Sequence, residues 1–126
     1  VSTQSTGHLQ MNEMKTQEIV NTTEKYIQAA LQQAKIALQQ QQVPIGCVCV
    51  QNGEIVAEGY NGTLSIQHAE MLAMQKFDVK KPFELYVTVE PCIMCTAALM
   101  QTSCQKVTFC CYNSKFGGCG GVCKVL

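Results

Sequence analysis

The chain is poor in charged residues and has no arginine. Its 126 residues include nine Lys, eight Glu and one Asp, so the formal net charge at pH 7 is zero. A protein that binds nucleic acid unaided is expected to carry a basic patch or a positive field. The composition therefore argues against a self-sufficient nucleic-acid binder.

The sequence also lacks long apolar runs. No stretch of 18 or more apolar residues is present, and no apolar segment opens the chain in the manner of a secretory signal. Nine cysteines, an odd number, do not suggest a framework of disulfides. We therefore expect a soluble protein of a reducing compartment, cytoplasmic or nuclear, with no membrane association.

The length and composition fit one folded domain, since 47% of the residues are hydrophobic and the chain is too short for two cores. Residues 1–20 are polar and predict a flexible tail, followed by a folded domain over 21–126. Asn21 can cap a helix with Glu24 three residues later. Apolar residues then recur at helical spacing, at Ile27, Ala30, Leu31, Ala34 and Leu38.

The middle and end of the chain alternate between strand and helix patterns. Residues 46–51 and 54–60 predict two strands, and Asn52-Gly53 between them is a strong hairpin signal. The later predicted elements are a helix over 68–76, a strand over 85–89, a helix over 92–100 and a strand over 106–111. Strand-helix-strand units favour an α/β layer fold whose later strands run parallel.

Two short motifs lie where predicted strands give way to helices. They are His68-Ala69-Glu70 and Pro91-Cys92-Ile93-Met94-Cys95. Cys92 and Cys95 fall on one helical turn, and His68 can complete a set of three zinc ligands. A fourth, open position would hold a water that becomes a hydroxide nucleophile near neutral pH, with Glu70 placed to carry its proton.

Other interpretations of the cysteines stay open at this point. The C-x-x-C pair is also typical of a thiol redox centre, in which His68 and Glu70 would have no role. A closed structural zinc site could join this pair to other cysteines: Cys119 and Cys123, with Cys104, Cys110 and Cys111 as further candidates. Cys47 and Cys49 alternate with valines in a strand, which favours packing.

The order H-x-E followed by P-C-x-x-C resembles the signature of zinc-dependent nucleobase deaminases. The likeness to one family within them, the tRNA-specific adenosine deaminases of the eukaryotic catalytic-subunit type, covers about residues 24–126. It is carried by Lys25-Tyr26, Val43-Pro44-Ile45-Gly46, Asn52-Gly53, Asn61, His68-Ala69-Glu70-Met71, the run from Leu85 to Cys95, and the closing segment from Phe116 to Val122.

This resemblance implies a three-layer α/β/α fold of the cytidine deaminase type. Its mixed central sheet would begin with a β-hairpin and continue with parallel strands. Residues 21–126 would form the zinc-dependent deaminase domain, and the strand and helix that usually end such a domain are not expected within this range. The implied reaction is hydrolytic deamination of adenosine to inosine at the wobble position of tRNA anticodons, by attack of zinc hydroxide on C6.

The resemblance also implies residue roles and partners. Glu70 would be the catalytic proton shuttle, Asn61 would hydrogen-bond the flipped base, and Ala69 and Pro91 would contact substrate. From the sequence alone, Asn61 is about as well suited to turning the chain after a strand. The partners would be the tRNA anticodon loop and a related non-catalytic subunit, or otherwise a second copy of this chain. The alternatives are a deaminase of a small base or nucleotide, such as cytosine, guanine or deoxycytidylate, and a non-catalytic zinc-containing RNA-binding partner.

Overall fold

A computed structural model describes residues 2–5 and 13–119, with side chains from residue 21 onward. In that part of the chain, strands and helices alternate from β3 to β5. They are β1 (Ser2–Ser5), α1 (Glu13–Gln39), β2 (Gly46–Gln51), β3 (Glu54–Tyr60), α2 (Ala69–Met74), β4 (Phe83–Val89), α3 (Ile93–Leu99) and β5 (Cys104–Cys111).

The strands form one mixed sheet with the order β1-β5-β4-β2-β3. β4 and β5 are parallel, whereas β2 pairs antiparallel with both β3 and β4. Asn52 and Gly53 both have positive φ, as a tight turn between antiparallel strands requires. The predicted hairpin and the predicted parallel pairing are thus both confirmed.

Alternating side chains of β2 enter two different cores. Cys47 and Cys49 are fully buried in the cluster that includes residues of α2 and α3. Val48 and Val50 point the other way, into a second cluster with Tyr26 of α1. The sheet therefore lies between α1 on one face and the two short helices on the other, which confirms the three-layer α/β/α arrangement. It also confirms the packing role predicted for the two cysteines.

The first helix begins earlier than the cap at Asn21 predicted. It starts at Glu13, because residues with adequate helix propensity extend it even though they add no apolar stripe that sequence periodicity could detect. Ser2–Ser5 pairs antiparallel with β5, so part of the predicted tail has regular backbone structure. The flexibility of residues 1–20 stays a prediction. None of the helices in the described part of the chain is long and apolar enough to cross a membrane.

The sheet brings the starts of α2 and α3 to the same place. Gly59, near the end of β3, has no room for a side chain, since a Cβ there would collide with the carbonyl oxygen of Ala69. This close approach places the N-terminus of α2 against the sheet. α3 follows β4 after a short turn through Pro91, so the two motifs can meet.

Candidate active site

The three predicted zinc ligands converge between the starts of the two short helices. His68 immediately precedes α2, and Cys92 and Cys95 lie in the first turn of α3. The Nδ1 atom of His68 is 3.6 Å from the Sγ atom of Cys92 and 3.4 Å from that of Cys95. All three donor atoms lie within 4.8 Å of one another.

These distances suit zinc. Zn–N bonds of about 2.0–2.1 Å and Zn–S bonds of about 2.3 Å at tetrahedral angles place nitrogen and sulfur roughly 3.5 Å apart. The observed separations between Nδ1 and the two sulfur atoms match that value. One imidazole and two thiols therefore fit a zinc ion with a fourth position for water or substrate.

The imidazole of His68 is oriented by a backbone contact. Its Nε2 atom is 3.0 Å from the carbonyl oxygen of Ser65. Since a carbonyl only accepts, we assign the proton to Nε2, which leaves the lone pair of Nδ1 directed at the two sulfur atoms. Such an outer contact fixes both the tautomer and the ring orientation of a metal-binding histidine.

The two thiols have different surroundings. Cys92 caps α3, with its sulfur accepting the backbone N–H of Cys95 at 3.4 Å. Burial raises the pKa of Cys95, and the nearby charge of Glu70 raises it further. A bound cation opposes both effects, because it favours the thiolate over the thiol.

Glu70 lies beside the ligand set and is 4% exposed. Burial raises the pKa of its carboxyl group, while its own backbone N–H and His68 oppose that shift. The carboxyl group borders a cavity of about 290 Å³ that also reaches Asn61, His68 and Cys92. That volume is near the lower end of small-molecule sites, which span roughly 300–1,000 Å³.

A larger surface depression of about 500 Å³ lies elsewhere, alongside β3 and α2. Gln40, Tyr60, Gln75 and Lys76 contribute to its lining, and neither His68 nor the two cysteines borders it. Volume alone therefore does not identify the site. The smaller cavity is the candidate because two of the three convergent donor residues, His68 and Cys92, border it together with the buried Glu70.

The other three predicted site residues are close to the cavity but differ in placement. Asn61 lines it, and its Oδ1 atom accepts the backbone N–H of Ala69 at 3.0 Å, so the residue also secures the start of α2. Ala69 and Pro91 are both buried. The carbonyl of Pro91 accepts the N–H of Gly118 at 3.0 Å. Their contacts with substrate stay predictions.

The alternative cysteine sites find no support among the described residues. The only metal-suited group there is the set of His68, Cys92 and Cys95, and the eight described cysteines are free thiols. The sulfur of Cys119 instead lies 3.7 Å from the hydroxyl of Thr96. Cys123 lies outside the described residues.

One buried residue near the site had no predicted role. Glu90 is 2% exposed, and its carboxylate accepts backbone N–H groups of Asn113 and Cys119. Its partners are 23 and 29 residues away in the chain, beyond the reach of any local pattern. The available signals were an acid at the end of an apolar strand and the Gly117-Gly118 pair, which allows close packing.

Comparison with known proteins agrees with this geometry. Residues 20–111 match the family described as the cytidine and deoxycytidylate deaminase zinc-binding region. The tRNA-specific adenosine deaminase subunit tad2 of Schizosaccharomyces pombe is 43% identical over 109 residues, which are 79% of this chain and 28% of that protein. The tRNA-specific adenosine deaminase 2 of Xenopus laevis is 36% identical over 128 residues, covering 89% of this chain and 73% of the frog protein.

A solved structure from a study of A-to-I editing by tRNA:A34 deaminases at the wobble position superimposes with a TM-score of 0.73. It is 29% identical in sequence, and the match covers 77% of this chain and 82% of the other. The chain therefore belongs to the zinc-binding cytidine and deoxycytidylate deaminase family, and within it to the tRNA-specific adenosine deaminases.

Replacing a ligand tests the metal centre. We expect Cys92→Ala to lower the zinc-to-protein ratio at least about tenfold, because two remaining donors hold zinc far more weakly than three. Elemental analysis of the purified protein measures that ratio. Cys111→Ala, at an exposed thiol at the end of β5, is the matched control and should keep its zinc. Loss of zinc from Cys119→Ala, with Cys92→Ala unaffected, would place the metal at other cysteines.

Asn61 offers a test of its structural role. Asn61→Ala removes the acceptor for the N–H of Ala69 and should lower the free energy of unfolding by about 1 kcal/mol. Asn61→Asp retains an acceptor and should lose less, yet it lacks the amide N–H that a substrate base would use. Urea unfolding with excess zinc measures the first effect. Equal stability of Asn61→Ala and the control Thr63→Ala would contradict the structural role.

Proposed function

We propose that this chain catalyses the hydrolytic deamination of adenosine to inosine at the wobble position of tRNA anticodons, in the cytoplasm or nucleus. The observation that carries the proposal is the convergence of one imidazole and two thiols beside a cavity that His68, Cys92 and the buried Glu70 border. The names of the similar proteins supply the substrate class. The overall reaction consumes water and releases ammonia.

His68, Cys92 and Cys95 would hold the zinc ion. When bound there, zinc would supply a water molecule of lowered pKa as the nucleophile for C6 of the adenine ring. The orientation of His68 by Ser65 and the N–H donated to the sulfur of Cys92 fix these ligands before substrate arrives.

Glu70 would move the protons. In this mechanism its carboxylate would accept a proton from the attacking water and deliver it to the ring nitrogen next to C6. It would then carry the proton of the new C6 hydroxyl to the amino group, which leaves as ammonia while C6 becomes the carbonyl of inosine. Burial favours the protonated carboxyl group, which suits a residue that must hold a proton between two transfers. The position of Glu70 on the cavity wall supports this assignment.

Asn61 would hydrogen-bond the extruded base. Its amide oxygen is held by the N–H of Ala69, so the side chain has a fixed orientation where it borders the cavity. Ala69 and Pro91 would contribute backbone surface on either side. A base taken out of the anticodon stack is recognised in such a pocket by its edge and its faces.

A second subunit is part of the proposal. The chain has zero net charge and no arginine, whereas RNA binding draws most of its affinity from basic contacts to phosphates. A related non-catalytic subunit would supply those contacts, and a second copy of this chain is the alternative. Because Glu70 is present, this chain is assigned as the catalytic member.

The small-base deaminase and the non-catalytic RNA-binding partner are less well supported. Both curated relatives described above are named as tRNA-specific adenosine deaminases. A non-catalytic role would also leave unexplained a buried acid whose carboxyl group borders the ligand set.

The proton shuttle can be tested in cells. We expect Glu70→Ala to slow the formation of inosine at position 34 of cellular tRNA at least about 100-fold, the usual contribution of a general acid-base group. The substitution is introduced at the chromosomal locus under conditional expression. Sequencing of tRNA measures inosine, and the mutant protein should remain abundant and zinc-bound. Glu54→Gln, at an exposed strand position, is the control. Unchanged inosine would refute the tRNA deaminase assignment.

Partner dependence gives a separate prediction. The purified chain alone should deaminate an anticodon stem-loop much more slowly than the complex isolated through a tag on this chain. The difference should shrink as the salt concentration rises, because the phosphate contacts that the partner supplies weaken. Initial rates of inosine formation at two salt concentrations measure this. Equal rates for chain and complex would show that no partner is required.

A further inference from the structure

The segment between β5 and the end of the described chain is attached to the site through Glu90. This carboxylate accepts the N–H of Asn113 at 2.9 Å and that of Cys119 at 2.8 Å, one with each oxygen. The two bonds span residues 113–119, which we call the closing loop. A buried carboxylate that accepts backbone N–H groups at both oxygens is a strong, charge-assisted anchor.

The closing loop also pairs with the start of α3. The carbonyl of Phe116 accepts the N–H of Ile93 at 2.8 Å, and Gly117 forms a β-bridge with Cys92. A Cβ on Gly117 would collide with the carboxylate of Glu90, so only glycine lets the loop approach this closely. The loop is thereby held directly over a metal-ligand residue.

The side chain displayed by this loop is Phe116, which is 62% exposed. It borders the cavity that contains Glu70 and also an adjoining, almost wholly apolar groove beside His68 and Met94. A large aromatic side chain exposed at the mouth of a polar site is typical of a surface that binds a ring. Aromatic side chains stack on nucleobases regardless of base identity.

We propose that Glu90 is a positioning residue that holds the closing loop so that Phe116 forms an aromatic wall against a nucleobase of the substrate RNA. This inference rests on the proposed function for the identity of the substrate. Glu90 also borders the cavity, but both of its carboxylate oxygens accept N–H groups of the loop, so its role is exerted through the loop. Its loss should therefore weaken substrate binding while the proton transfers at Glu70 continue.

Kinetics of the complex, isolated through a tag on this chain, test the proposal with an anticodon stem-loop as substrate. Glu90→Gln replaces one acceptor oxygen with an N–H donor, so one of the two loop bonds is lost. We expect KM to rise about tenfold with kcat within about twofold of wild type and zinc content unchanged. Phe116→Ala should raise KM by a similar factor, again with kcat and zinc content little changed. Leu38→Ala, at an exposed site on α1, is the control and should keep the wild-type KM and kcat.

The double variant shows whether Glu90 works through Phe116. In Phe116→Ala the loop no longer presents a ring. The KM of the double variant of Glu90→Gln and Phe116→Ala should therefore exceed that of Phe116→Ala by less than about twofold. Two KM effects that multiply, or a fall in kcat or zinc content with KM unchanged, would overturn the proposal. If Glu90→Gln does not fold, Gly117→Ala takes its place, because it displaces the loop and leaves the carboxylate intact.

A second readout does not depend on activity. The chain contains no tryptophan, so Phe116→Trp introduces a unique fluorophore at the loop. In the zinc-loaded full chain its fluorescence anisotropy should decay with the tumbling of the whole protein, and adding Glu90→Gln should introduce a fast local decay. Identical decays would overturn the anchoring role. If the wild-type complex forms no inosine, the proposed function fails, whereas this measurement still tests the loop.

Discussion

The close approach of two helix starts is the constraint on which the site depends. His68 and the two cysteines come from segments 24 to 27 residues apart, yet their donor atoms lie at zinc-ligand separations. Antiparallel pairing of β2 with β3 and β4, together with the side-chain-free approach of Gly59 to α2, produces this convergence. The chemistry therefore depends on the sheet more than on either helix, since α2 and α3 are each only two turns long.

Two buried glutamates border the same cavity in contrasting environments. Each carboxylate oxygen of Glu90 accepts a backbone N–H group, so this side chain is tied to the polypeptide on both sides. Burial has the largest effect on the pKa of Glu70, which it raises, so the protonated form of this carboxyl group is favoured. One acid can thus organise the polypeptide while its neighbour exchanges protons, although both are the same residue type on one wall.

Features with local causes could be predicted from the sequence. The bounds of β2 and β3 follow from alternation and an Asn-Gly turn, and the ligand set follows from two motifs at strand-to-helix junctions. Features whose causes lie far away in the chain could not be predicted from the sequence. The bond from Asn61 to Ala69 depends on how the loop folds back, and the partners of Glu90 are set by tertiary structure. The start of α1 was missed because its first turns carry no apolar stripe.

The sheet order has a consequence for synthesis of the protein on the ribosome. α1, β2 and β3 are consecutive and can form contacts as soon as they emerge. β4 must then add beside β2, and β5 can pair only afterwards, with β1 from the opposite end of the sequence on its far side. Non-local pairings of this kind form slowly. During translation, His68 therefore emerges before either of its sulfur partners exists, and the metal centre can assemble only once the start of α3 has been synthesised.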